Sequence, residues 1–130
     1  MIVVDASVIV TALADDGPDG EEARERLRGE RLAAPHLVDL EVASAWRRLT
    51  ATGQLDARRA RLALDDLHAL RLDRVRHGPL LDRCWELREN LTVYDAAYVA
   101  LAELLGVTLG TADSKLSRAP GARCGVELLQ

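Results

Sequence analysis

The amino-acid sequence predicts a three-layer α/β/α fold around a mainly parallel central sheet of about five strands. Short apolar runs recur along the chain, and segments with apolar residues at helical spacing separate them. Strands that alternate with helices are typical of parallel sheets, because parallel neighbours need a crossover connection. With 130 residues, 48% of them apolar and 29% charged, the chain is expected to form a single domain over residues 1–130.

The first part of the chain contains the clearest strand signal. Met1–Val4 is wholly apolar and predicts a buried strand, and Ser7 is placed to cap a helix over Val8–Ala14. A charged helix is expected over Glu21–Arg28, followed by a second strand over Leu32–Ala34. Later helices are expected over residues 36–52, 56–70 and 78–89 and from residue 114, with Asp56 as the cap of the second of these. Later strands are expected over residues 72–75, 107–109 and 126–128.

The segment from Leu91 to Asp113 predicts a helix followed by a short strand. Its apolar residues follow the helical period, and Gly106 is expected to end the helix in the left-handed conformation. A helix that leads into a parallel strand begins at the edge where the strands end. Asp95, near the helix start, and Asp113, after the strand, are therefore predicted to face each other across this edge.

Two more acidic residues are predicted at the same edge. Asp5 ends the first strand, and Glu41 lies about one turn into the helix that follows the second strand. Each acid has a structural alternative, as a helix cap or a solvated charge, and Thr92 and Asp95 have the spacing of a capping box. Capping alone does not account for four acids on one edge, where open α/β sheets bind ligands.

Four neighbouring carboxylates repel each other unless a cation neutralises them. Oxygen ligands without clustered cysteine or histidine favour Mg²⁺, or Mn²⁺, over zinc. Such a site suits phosphodiester hydrolysis, because the metal lowers the pKa of a bound water and a spare carboxylate orients or deprotonates it. The hydroxyls of Ser7 and Thr111 are placed to hold neighbouring carboxylates, and helix capping is their alternative role.

Composition bears on the compartment but does not settle the partner. The formal charge of −4 argues against a general nucleic-acid binder, yet Lys115 is the only lysine, and arginine forks suit phosphates. The N-terminus lacks a cationic leader, and no apolar run approaches the ~18 residues of a membrane span. The two cysteines are far apart and lack metal spacing, so two idle thiols in a reducing cytoplasm are expected.

Three segments, VVDASVIV, HLVDLEVASAWRR and LTVYDAAYVALAELLGVTLGTAD, occur in a characteristic order and spacing. Together they resemble the PIN-domain family, and within it the VapC-type toxins of bacterial toxin–antitoxin pairs. The resemblance covers essentially the whole chain. It implies a Mg²⁺-dependent endoribonuclease that acts on structured RNA such as tRNA or rRNA. It also implies a homodimer silenced by a cognate VapB-type antitoxin, whose C-terminal segment occupies the acidic groove.

The resemblance also assigns residues. Asp39 lies two positions before Glu41, but the family pattern favours Glu41. The basic residues Arg47, Arg48 and Arg118 are candidate substrate contacts. The family's acidic quartet and its usual hydroxyl neighbours correspond to Asp5, Glu41, Asp95 and Asp113, with Ser7 and Thr111 beside them.

Other functions fit the sequence less well. A non-catalytic PIN-like module that binds RNA or protein is the main alternative, and the intact acidic quartet argues against it. A phospho-acceptor receiver domain is disfavoured because the pair of acids expected at its first strand is missing. A haloacid-dehalogenase-like phosphatase is disfavoured because Asp5-Ala6-Ser7 lacks a second aspartate.

Overall fold

The computed structural model describes residues 1–129, which form a five-stranded sheet with every neighbouring pair parallel. The strands are β1 (Ile2–Val4), β2 (Leu32–Pro35), β3 (Leu72–Val75), β4 (Thr108–Thr111) and β5 (Val126–Leu128). The helices are α1 (Ala6–Ala14), α2 (Pro18–Leu27), α3 (Val38–Ala51), α4 (Ala57–Ala69), α5 (Leu81–Glu86), α6 (Val93–Leu105) and α7 (Ser114–Ser117), with a 3₁₀ turn at Gly78–Leu80 before α5.

Helices cover both faces of the sheet. On one face α1 contacts α2, α3 and α4, and on the other α5 packs on α6, which contacts β1 and β2. This arrangement confirms the three-layer α/β/α fold that the sequence predicts. Within residues 1–129, no helix combines the length and apolar character needed to cross a membrane.

The core lies between the sheet and its two helical layers. All residues of β1 and β2 are buried, which explains why these strands are continuously apolar instead of alternating. In α6 an unbroken run from Ala96 to Ala102 is buried, and four of its seven residues are alanine. Each fully buried leucine, isoleucine or valine contributes roughly 1.5–3 kcal/mol to stability.

The strand order β3-β2-β1-β4-β5 reverses direction at β1. The chain runs outward from β1 to β2 and β3, then returns to place β4 on the other side of β1. Val4 pairs with Gly110, so the chain leaves both strands at the same level. Such a reversal opens a crevice beyond the carboxyl ends of the strands, and this is where open α/β sheets hold their ligands.

Several predicted boundaries change in the structure, and α2, for example, begins at Pro18 and not at Glu21, because proline is well suited to the first turn of a helix. Helix α1 begins at Ala6 and not at Val8, because Asp5 caps it by accepting from the backbone N–H of Val8. The expected helix over residues 78–89 is a 3₁₀ turn followed by the short α5. The chain turns after α5, where the N–H groups of Asn90 and Leu91 both donate to the carbonyl of Leu87, and so reaches the start of α6.

Other predicted ends agree with the structure. Asp56 caps α4 through hydrogen bonds from the N–H groups of Arg58 and Arg59. Gly106 ends α6 with a φ of 67°, in the left-handed region that glycine adopts without a steric penalty.

Helix α2 approaches the end of α1 so closely that one position requires glycine. A Cβ atom on Gly20 would lie 1.8 Å from the backbone oxygen of Asp15. We expect Gly20→Ala to destabilise the fold by about 1–3 kcal/mol, because the backbone must shift to relieve this overlap. Thermal unfolding would measure this as a Tm lowered by several degrees.

Gly78→Ala is the matched control for this prediction. A Cβ atom on Gly78 would meet nothing within 4 Å, and its φ is not in the left-handed region. The substitution should leave the Tm unchanged or slightly raised, since alanine reduces the freedom of the unfolded chain. Equal Tm values for the two variants would contradict the proposed close approach of α1 and α2.

Candidate active site

Asp5 is the most buried of the four predicted acids. It directly follows β1, is 6% exposed, and accepts a hydrogen bond from the N–H of Val8 at 3.3 Å. Ser7 Oγ donates to Oδ1 of Asp5, and Thr111 Oγ1 donates to Oδ2, each at 2.5 Å. Burial raises the pKa of the Asp5 carboxyl group, these hydrogen bonds oppose the rise, and the negative charge of Asp95 adds to it. The Asp5 carboxylate is therefore held in one orientation.

The two hydroxyl side chains also connect Asp5 to the segment after β4. Ser7 Oγ accepts from the N–H of Ala112 at 3.0 Å, and Thr111 Oγ1 accepts from the N–H of Asp113 at 2.9 Å. Ser7 is thus no helix cap, although capping was its alternative role. Asp113 itself is exposed and caps α7. The network fixes the position of the Asp113 backbone relative to Asp5.

Glu41 lies in the first turn of α3 and is half-buried. Its Oε1 atom accepts a hydrogen bond from the hydroxyl of Tyr98 at 2.5 Å. Burial raises the pKa of Glu41, the hydrogen bond from Tyr98 lowers it, and the charges of Asp95 and Asp5 raise it further. Tyr98 is 1% exposed, and the pKa of its phenol is raised by burial and by its bond to Glu41.

Asp95 lies in the first turn of α6, one turn before Tyr98, and is half-buried. Thr92 caps this helix by accepting a hydrogen bond from the N–H of Asp95 at 3.1 Å, which is one of the two bonds of the predicted capping box. The cap fixes the turn that carries the carboxylate. Burial raises the pKa of Asp95, and the charge of Asp113 raises it further.

Each of the four predicted acids interacts electrostatically with at least one of the others. The charge of Asp95 raises the pKa of both Asp5 and Glu41, and the charge of Asp113 raises that of Asp95. Asp95 therefore has a central position in the group, which lies at the strand-order reversal. Ionised carboxylates in this arrangement repel each other, and a cation would remove the repulsion.

The residues present suit a divalent cation in charge and donor type. They supply only carboxylate oxygens, the donors that Mg²⁺ and Mn²⁺ prefer. Over residues 1–129, no group of three or more histidine, cysteine, aspartate or glutamate side chains is assembled closely enough to hold a metal ion. Electrostatic interactions act over longer distances than metal coordination does, so the acids influence each other's pKa values without forming a close cluster of ligands. Mg²⁺ commonly takes one or two carboxylates directly and keeps several waters.

Asp39, the neighbouring acid in the first turn of α3, has a different role. Both of its oxygens accept hydrogen bonds from the guanidinium of Arg74, at 2.7 and 2.9 Å. Arg74 extends from β3, so this bidentate pair ties the start of α3 to the sheet. The pair engages Asp39 away from the four acids, in agreement with the preference of the family pattern for Glu41.

The three candidate substrate arginines lie in different places. Arg48 lines a cavity of about 430 Å³ that Ser7 and Glu41 also line. Arg47 lines a separate groove between α3 and α4. Arg118 is exposed and follows α7. Of the three, Arg48 is the one that shares a cavity with a predicted acid.

Tyr98 was not among the residues predicted for the site. Its position in the helical period of α6 predicts a core residue, and its ring is indeed buried. The available signal was its spacing, three residues after Asp95, which places both side chains on one side of the helix. The hydroxyl bond to Glu41, 57 residues away in sequence, could not be inferred from that spacing.

Comparison with known proteins agrees with the fold. The PIN domain family profile matches residues 2–122. Ribonuclease VapC9 of Mycobacterium tuberculosis is 46% identical over 129 residues, which cover 99% of this chain and 98% of that protein. Ribonuclease VapC1 of the same species is 44% identical over 129 residues, covering 98% and 97% respectively. The structure of VapBC2 from Rickettsia felis, bound to a DNA fragment from their promoter, matches with a TM-score of 0.71 and 18% identity over 100% of both chains.

The chain therefore belongs to the PIN-domain family. The VapC proteins it is similar to are matched along nearly their whole length, so the resemblance of the three sequence segments to VapC-type proteins is confirmed.

The crowding of the acids predicts a stability gain on neutralising one of them. Because the pKa of Asp95 is raised in the folded state, ionising its carboxyl group lowers the stability of the fold. This cost disappears at pH values below the pKa in the unfolded chain, about 3.9, where the group is protonated in both states. We expect metal-free Asp95→Asn to be more stable than the parent at pH 7 by roughly 0.5–2 kcal/mol. The difference should shrink to zero as the pH falls to about 3. Denaturant unfolding at several pH values measures it.

Asp82→Asn provides the control, because Asp82 is an exposed carboxylate in the first turn of α5. This substitution should give no gain at any pH. If Asp95→Asn were no more stable than the parent at pH 7, the repulsion inferred among the acids would be wrong.

Proposed function

We propose that this chain is a VapC-type endoribonuclease toxin that hydrolyses phosphodiester bonds in structured RNA, of the tRNA or rRNA class, with a divalent cation. The observation that carries the proposal is the group of four electrostatically coupled carboxylates at the strand-order reversal. Membership of the PIN-domain family and the similarity to VapC ribonucleases over nearly the whole chain support it. The proposed unit is one PIN domain over residues 1–130.

Mg²⁺, or Mn²⁺ in its place, would bind among the four acids, with one or two carboxylates as direct ligands and water molecules as the others. When bound, the cation lowers the pKa of a water molecule and stabilises negative charge on the phosphodiester. It also accounts for a polyanion reaching an acidic edge, since without it the carboxylates would repel phosphate. The residues proposed as catalytic and as metal ligands are Asp5, Glu41, Asp95 and Asp113.

The acids differ in the part we assign to them. Asp5 is rigid, because Ser7 and Thr111 hold both of its oxygens, and we propose it as the fixed anchor for the cation. Glu41 and Asp95 are half-buried with raised pKa values, which suits a group that takes a proton from water. Asp113 is the exposed member and is proposed as an outer ligand.

Cleavage assays test this proposal directly. The purified chain, incubated with bulk tRNA and rRNA, should cut RNA with Mg²⁺ or Mn²⁺ and stop when EDTA removes the metal. Asp5→Asn and Asp95→Asn should lower the cleavage rate by roughly 10²–10⁴-fold, because each removes a charge from the site. Circular dichroism of both variants should show the parent fold.

Asp82→Asn, outside the site, should cleave at the parent rate. Full activity in Asp5→Asn or Asp95→Asn would contradict the proposal. RNA binding without cleavage and without metal dependence would instead identify a non-catalytic PIN-like binding module.

We propose Arg48 as the principal phosphate contact, with Arg47 and Arg118 as more distant contacts. Arg48 lines the cavity beside Glu41, and its guanidinium is exposed, where it hydrogen-bonds Ser44. An arginine there would counter the negative charge of the acids and orient the RNA backbone.

Arg48→Ala should weaken RNA binding and make it less dependent on salt. One lost phosphate contact lowers the slope of log K against log salt concentration by about 0.7–0.9. The measurement is a salt titration of tRNA binding in the Asp95→Asn background, where cleavage does not interfere. Arg28→Ala is the control, because Arg28 is an exposed arginine at the end of α2 that pairs with Glu25. An unchanged slope in Arg48→Ala would remove Arg48 from the RNA contact.

We also propose that a VapB-type antitoxin silences the chain and that the chain is a cytoplasmic homodimer. These proposals rest on the similarity to VapC proteins along nearly the whole sequence. Light scattering of the purified chain gives its oligomeric state. Co-expression with the product of the adjacent gene tests the antitoxin, which should co-purify with the chain and suppress cleavage.

A further inference from the structure

Tyr98 is the buried polar side chain of α6 that contacts the acidic site. Its ring is 1% exposed, and its hydroxyl donates to Oε1 of Glu41 at 2.5 Å. Among residues 1–129, this is the one hydrogen bond that the Glu41 carboxylate accepts. Glu41 Oε2 therefore remains available to another ligand. The contact joins α6 to α3 across the edge of the sheet.

We propose that Tyr98 is a positioning residue that orients the Glu41 carboxylate for the divalent cation. The proposal rests on the proposed function, in which this cation binds among the four acids. It extends that function to a residue that touches neither metal nor RNA, and it assigns the tyrosine hydroxyl a purpose beyond filling the core.

The need for orientation follows from side-chain freedom. A glutamate has three rotatable side-chain bonds, and fixing them costs entropy whenever a ligand must order the carboxylate. Tyr98 has two such bonds, and core packing has already fixed them. Its hydroxyl therefore holds Glu41 before the cation binds, so less entropy is lost on binding.

The same principle applies to Asp5, which supports the inference. The Asp5 carboxylate is held by two hydroxyls and a backbone N–H. Glu41 has a longer side chain and is held by the hydroxyl of Tyr98 alone. Hydrogen bonds to ligating carboxylates of this kind are worth 10–100-fold in metal affinity in other proteins.

The position of Tyr98 in α6 links two acids of the site. Tyr98 follows Asp95 by three residues, so the two side chains are neighbours on the helix surface. One helix thus carries one acid and orients a second acid that belongs to α3.

Titration of the full chain with Mn²⁺ alone, followed by the electron paramagnetic resonance signal of free Mn²⁺, tests the proposal. Tyr98→Phe keeps the ring in the core and removes only the hydroxyl. We expect it to bind Mn²⁺ about 10–100-fold more weakly than the parent, with circular dichroism unchanged. Tyr94→Phe is the matched control, because Tyr94 is on the same helix but 67% exposed, and it should bind Mn²⁺ as the parent does.

A double-mutant cycle separates positioning from a purely structural role. If Tyr98 acts through Glu41, then Tyr98→Phe should cause no further loss of Mn²⁺ affinity in a Glu41→Ala background. Glu41→Asp breaks the same contact from the other side, since it keeps the charge but shortens the side chain. It should weaken Mn²⁺ binding in a protein whose Tyr98 is intact, even where Tyr98→Phe folds poorly.

Cleavage kinetics provide the second readout. Tyr98→Phe should lower kcat at a limiting Mn²⁺ concentration and leave the KM for RNA unchanged. The kcat of this variant should return to the parent value as the Mn²⁺ concentration is raised. Parent-like Mn²⁺ affinity in Tyr98→Phe, or an equal loss in the Glu41→Ala background, would overturn the proposal, as would a parent chain that binds no Mn²⁺. Tyr98-dependent Mn²⁺ binding without RNA cleavage would refute the nuclease function and leave the positioning role intact.

Discussion

The parallel pairing of β1 with β4 brings together Asp5 and Thr111, which are 106 positions apart in sequence and are joined by a side-chain hydrogen bond. This hydrogen bond joins the carboxyl ends of the two strands where the strand order reverses. Because Val4 and Gly110 are in register, the loops after both strands start at one level. A slip of one residue would turn Thr111 to the other face of the sheet and leave the Asp5 carboxylate short of a donor. The geometry of the acidic edge thus depends on strand register.

The acids at this edge work against the stability of the fold. Burial and mutual repulsion raise the pKa values of Asp5, Glu41 and Asp95, so ionising these carboxyl groups costs folding stability. Hydroxyl and N–H donors offset part of this cost at Asp5, and Tyr98 offsets part at Glu41. Binding of a cation would offset more. The repulsion among the acids thus lowers the stability of the metal-free fold, and relief of this repulsion would add to the affinity for a cation. Many functional sites show the same compromise between stability and function.

Several of the arginines that form ion pairs in residues 1–129 join separate helices and strands. Arg26 joins α2 to Glu127 of β5, Arg74 joins β3 to α3, and Arg83 joins α5 to Glu103 of α6. These pairs are partly exposed, so each contributes little to stability, and their value lies in fixing how neighbouring elements meet. The bias towards arginine in the composition therefore does not measure affinity for RNA.

The sequence by itself determined the alternation of strands and helices, the α4 and α6 caps and the edge on which the four acids lie, because period, turn chemistry and parallel topology are local or general rules. Only the tertiary structure decided that Asp5 and not Ser7 caps α1, that Arg74 engages Asp39, and that Tyr98 bonds Glu41. It also separated Arg48 from Arg47, which are adjacent in sequence but line different cavities. The reason is physical: side-chain partners across the fold are chosen by strand register and helix packing, and local sequence carries no record of which distant residue will lie within hydrogen-bonding distance.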